Sequence, residues 1–257
     1  MIEASGELIT PERFNLAEAI CKRHEDAVTR IALIDGKPAA SNTYTYGGLD
    51  FISDKFASAL SLCPVAQGDA VAVILPQSAA LVTAHLGALK LGAAVLPLSP
   101  SLDEAKIEYQ LRDSKAKAVV ADFSIRAKIA EITSKIKSVE ELFIAGDSRE
   151  ANEAGFDQKS FWREVYEASS DFSPVETLSI APAFIFYTIA PDGEPRGVVR
   201  SHGSLLDEFA AFEKINRLAV KDESVISMTA DQSSYDALLG ILYPALWYGC
   251  AVSVTRT

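Results

Sequence analysis

An apolar run at residues 184–187 enters a segment carrying Pro191, Gly193, Pro195 and Gly197, and a helically spaced apolar stretch follows at 205–215. Strand, glycine loop, helix is the order in which chains build phosphate cradles. Glycine lets the backbone approach an anion, and N–H groups at a helix start can face it. Elsewhere the chain offers little chemistry. Cys21, Cys63 and Cys250 are widely spaced without a Cys-x-x-Cys, and His24 and His85 have no partner at informative spacing. The thiols fit a reducing compartment, and no metal site is expected.

Such a loop needs a scaffold, and the chain before it alternates strand and helix patterns. Residues 14–21 have helical spacing. Residues 31–34 predict a strand that turns at Asp35-Gly36 and returns as far as Tyr46. Leu49, Ile52, Phe56 and Leu60 mark a helix, 71–75 a strand apolar on both faces, and 79–91 a helix capped by Gly92. Then come a strand at 94–98, a helix opened by a Ser101/Glu104 capping box, and a strand at 118–121. Ile125, Ile129, Ile132 and Ile136 form one helical stripe, and 142–145 is a strand. A polar loop at 146–155, a short helix at 161–166 and a connector at 169–181 precede the glycine loop. After the loop, Leu205, Phe209 and Phe212 stripe a helix, 225–228 is a strand, 235–247 an apolar helix and 251–254 a last strand. This alternation predicts an α/β fold of helices layered on mixed, mostly parallel sheets. It divides into a first sub-layer at 1–170 and a second, incomplete one at 171–257, together one compact unit.

Composition narrows the class. Hydrophobic residues make up 49% and charged residues 23% of the 257, as in soluble globular proteins. Net charge is −11 without a Lys/Arg cluster, which argues against nucleic acid and anionic membrane as partners. The N-terminus is acidic without an apolar signal core, and the apolar runs are strand-sized, so a cytoplasmic location is expected.

The glycine loop resembles that of the adenylate-forming superfamily, which includes acyl-CoA synthetases, nonribosomal peptide synthetase adenylation domains and luciferases. Against that family's Tyr-Thr-Ser-Gly-Thr-Thr-Gly-x-Pro-Lys-Gly-Val pattern, Tyr187, Thr188, Gly193, Pro195, Gly197 and Val198 match. Ile189, Ala190, Pro191, Asp192 and Arg196 depart from it. Pro191 has no N–H to offer, Asp192 brings a carboxylate toward the expected phosphates, and Arg196 replaces a compact ammonium by a planar fork. The resemblance extends further. Tyr44-Thr-Tyr-Gly-Gly-Leu49 is similar to an early family signature, with Gly48 where Glu is usual. Leu89-Lys-Leu-Gly-Ala-Ala-Val-Leu-Pro-Leu-Ser-Pro100, with Ile107-Glu-Tyr-Gln-Leu-Arg-Asp-Ser114, matches a second in both identity and spacing. Tyr235-Asp-Ala-Leu-Leu-Gly and residues 246–254 are similar to later elements.

The resemblance implies the N-terminal half of an acyl-CoA synthetase large domain. It brings ATP and Mg²⁺ as cofactors and a small carboxylic acid as substrate, adenylated and then passed to a thiol. Thr188, Gly193, Arg196 and Gly197 take the phosphate-contacting positions, and His202, Tyr235 and Asp236 the acyl-pocket positions. Each has a plain alternative: a loop that only joins its neighbours, a packing histidine, and a first-turn aspartate favoured by the helix dipole. The family's adenine, ribose and catalytic-lysine motifs have no counterpart, so no catalytic residue is assigned. The expectation is a truncated AMP-dependent ligase-like chain without activity alone; the alternative is a non-catalytic binding or interaction module of that ancestry. Strand 251–254 is expected to be an open edge, covered by self-association or by a partner.

Overall fold

The computed structural model describes residues 10–37, 40–146, 158–191, 193–216, 224–228 and 234–254. Helix α1 (Leu16–Lys22) starts where Asn15 caps it: Oδ1 accepts from the Ala17 and Glu18 amides, while Nδ2 donates to Leu89 O at 2.7 Å. β1 (Ile31–Lys37) pairs antiparallel with β2 (Ala40–Thr45), and α2 (Tyr46–Ser61) begins at the Thr45 cap. Strand and helix then alternate: β3 (Ala70–Ile74), α3 (Ala79–Lys90), β4 (Ala94–Pro97), α4 (Glu104–Asp113), β5 (Ala118–Asp122), α5 (Arg126–Ser134) and β6 (Glu141–Ala145). β7 (Lys159–Ser160) and α6 (Phe161–Glu167) lead to β8 (Pro182–Ile189), β9 (Pro195–Ser201) and α7 (Leu205–Asn216). β10 (Val225–Met228), α8 (Tyr235–Ala237), a π-helical turn (Leu238–Leu242), α9 (Tyr243–Trp247) and β11 (Ala251–Val254) complete the order.

Two sheets result. The larger has the order β7-β6-β5-β3-β4-β8-β9 and is parallel except for β9; the smaller has the order β10-β11-β1-β2. The mixed, mostly parallel α/β architecture is as expected, and both sheets draw strands from each side of residue 170. β3 is buried along its whole length, which is why it reads as an unbroken apolar run. All twelve residues of α3 are buried too. α2 approaches α3 closely at Gly87, where a Cβ would come within 2.7 Å of Phe56 Cδ1. No helix among the described residues is long and apolar enough to cross a membrane.

Several local expectations are corrected. Asp35 and Gly36 are ladder residues of β1, paired with Asn42 and Ser41, so the reversal falls beyond Lys37. Asp103 caps α4, accepting from Lys106 N–H at 2.8 Å; the nearer carboxylate displaces the proposed Ser101 box. Ile125 ends a 3₁₀ turn and Ile136 follows α5, although Ile129, Ile132 and Ile136 are buried together. The polar loop expected at 146–155 lies almost wholly outside the described residues. β11 is no open edge: it sits between β10 and β1, because parallel pairing on both sides buries its apolar residues. Among the described residues the outer strand there is β10, with Val225 57% exposed.

Candidate functional site

β8 and β9 form an antiparallel hairpin. Its turn is tight: Gly193 N–H donates to Ala190 O at 2.8 Å and Ala190 N–H to Glu194 O at 2.9 Å. Gly193 has φ +85°, open to glycine at little cost, and proline suits the second position of such a turn. The expected strand, glycine loop and helix is therefore strand, turn and strand. The reason is local: the Ala-Pro-Asp-Gly sequence supplies hairpin chemistry, and α7 begins only beyond the whole of β9.

The four positions expected from the resemblance to contact phosphate gather at this hairpin. Thr188 and Arg196 are cross-strand partners, both exposed, and Gly193 lies in the turn. Gly197 faces Tyr187, and a Cβ there would lie 3.5 Å from the ring's Cζ. The turn fits a triphosphate poorly. Pro191 and Pro195 carry no N–H, while those of Ala190 and Gly193 are spent inside the turn.

The three positions expected to line an acyl pocket are divided. Tyr235 packs edge-on against Phe186, with ring centroids 5.3 Å apart. Its hydroxyl donates to Glu208 Oε1 and accepts from Arg200 Nη2, which also donates to Glu208 Oε1 at 2.8 Å. Burial, reinforced by Glu208, raises the Tyr235 phenol above its usual range. Asp236, next to it, is exposed in the first turn of α8. His202 is elsewhere: fully buried, it accepts the Leu16 N–H on Nδ1 at 3.0 Å and so fastens the turn before α7 to the start of α1. Burial lowers its imidazole to about 4. Arg200 and Glu208 were missed, since no motif marks them. The one available signal was strand alternation, which puts Arg200 opposite Phe184 on the face toward α7 and α8.

A family model for AMP-binding enzymes matches residues 18–257. The chain belongs to the AMP-binding enzyme family. Surfactin synthase subunit 2 of Bacillus subtilis is 28% identical to it over 221 residues, 85% of this chain and 5% of that protein. Among solved structures, the anthranilate CoA ligase AuaEII in complex with anthranoyl-AMP superposes with a TM-score of 0.84 at 17% identity, covering 96% of this chain and 46% of that one. ATP-bound MatB from Rhodopseudomonas palustris superposes with a TM-score of 0.79 at 21% identity, covering 93% and 44%. This AMP-binding family chain thus spans just under half the length of those two solved relatives.

Proposed function

We propose that this chain supplies the N-terminal scaffold of an AMP-binding ligase fold and does not adenylate a carboxylic acid by itself. The closed hairpin turn carries this reading: among its described residues, Pro191 and Pro195 have no amide to offer, and those of Ala190 and Gly193 are bonded to the turn's own carbonyls. Catalysis of phosphoryl chemistry is charge neutralisation and positioning, so the loss of donors there weighs heavily. Isothermal calorimetry with Mg-ATP tests it. The parent should give no binding heat, and Pro191→Thr with Asp192→Thr should recover binding; tight binding by the parent would reject the proposal.

The chain also has a surface for a partner. Among the described residues β10 is an outer strand with an exposed valine, and parallel pairs such as β10–β11 are ordinarily covered on both faces. A further strand, from a second copy or from the rest of such a fold, fits this edge. Sedimentation velocity at rising concentration should show association that weakens in Val225→Lys. A concentration-independent monomer would remove self-association. Three free cysteines suit a cytoplasmic, reducing setting for this unit.

A further inference from the structure

The hairpin reaches past the sheet that carries it. β4 pairs with β8 only at Val95 and Phe184, so the half of the hairpin near the turn lacks an inner strand neighbour among the described residues. Helix α4 supports that half instead. Tyr187 OH donates to Asp113 Oδ2 at 2.5 Å, and Tyr109 OH donates to Pro195 O at 3.2 Å. The two rings meet edge to face with centroids 6.2 Å apart. One contact holds β8 and the other β9, both close to the turn, because Tyr187 pairs with Gly197 and Ile189 with Pro195.

The position of Asp113 is itself informative. It is the last residue of α4, where a carboxylate meets the negative end of the helix dipole. Arg112 beside it is paired with Glu108 instead, at 2.8 Å. The acid is thus unfavourable for the helix alone, and its hydrogen bond lies with the hairpin. At the hairpin's root the other face is held separately by Arg200, Glu208 and Tyr235.

We infer that Tyr109 and Asp113 are positioning residues for the turn at 190–194: they strap the hairpin's tip to α4 and fix where any ligand of that turn has to sit. The strap is a property of the chain without nucleotide, so it stands or falls independently of ATP binding.

Amide hydrogen exchange on the intact chain tests the strap through Tyr187→Phe, Asp113→Ala and Asp113→Asn. In the first two, the Ala190 and Gly193 amides should exchange about tenfold faster, as expected when one hydrogen bond is lost. The His202 amide at the hairpin root and the Leu98 amide in the sheet, bonded to Ala181 O and Val73 O, should keep their rates. Asp113→Asn keeps an acceptor and should restore protection at the tip. It should also let the Tyr187 phenol, now held above its usual range by burial and by Asp113, ionise at lower pH. Unchanged tip exchange in both truncating variants would overturn the inference. So would acceleration of all four amides together, or failure of Asp113→Asn to rescue.

Discussion

Lys90→Met is expected to unfold at markedly lower urea than the parent, with a loss of about 3–5 kcal/mol. The Lys90 side chain is fully buried, and its ammonium donates to Asp50 O at 3.0 Å, Asp50 Oδ1 at 2.5 Å and Asp54 Oδ1 at 2.6 Å. All three donor positions are filled, so the charge tolerates burial. Methionine matches the stem but leaves the Asp54 carboxylate, 17% exposed, without its cation. Asp50 matters less. It is 43% exposed and, with Asp54, lines a cavity of ≈ 250 Å³ alongside Glu18, Lys22 and Pro174, where water screens it. Adding Asp54→Leu to Lys90→Met should return part of the stability, because the stranded charge is then gone. Equal urea midpoints for parent and Lys90→Met would show that the cluster contributes nothing net.

Acid should destabilise the fold through its histidines. Burial lowers His85 to about 3 and His202 to about 4, from an ordinary 6.5. Between those folded values and 6.5 the unfolded chain binds more protons. The stabilisation is therefore fully present above pH 6.5 and is lost as pH falls toward 4 for His202 and toward 3 for His85. At pH 5 each should have forfeited about 2 kcal/mol. The geometry supports that sign. His202 Nδ1 accepts the Leu16 amide and cannot do so once protonated. His85 Nδ1 lies 2.9 Å from Tyr243 OH, both groups fully buried. His24 is also lowered, by burial first and by Arg30 and Arg23, and acts in the same direction. Urea midpoints at pH 7 and pH 5 measure the effect. His202→Asn, which keeps an acceptor for Leu16, should flatten the slope by one histidine's share; a slope identical to the parent's would contradict the assignment.

The two tests probe different ranges of legibility. Lys90 stood in the most specific sequence match, yet nothing local says that its partners are Asp50 and Asp54, one and two turns along a different helix. His202 attracted notice by its place before a helix, but its bond reaches across 186 residues to Leu16. The glycine loop shows the opposite error. Pro191 and Gly193 are a turn signal in their own right, and reading the first as a loss from a cradle and the second as a part of one hid the hairpin they specify.

By itself the sequence determined what short-range physics controls. Continuous apolar runs became buried parallel strands, and small apolar residues became the all-buried α3. Tertiary structure alone decided strand order, which put β11 inside its sheet and left β10 outside. It also decided the long-range polar contacts: Asp113 with Tyr187, Arg200 with Glu208 and Tyr235, and His202 with α1. The reason is range. Propensity, capping and turn chemistry act over a few residues and leave a periodic trace, whereas a hydrogen bond between distant segments needs only one donor and one acceptor, and leaves none.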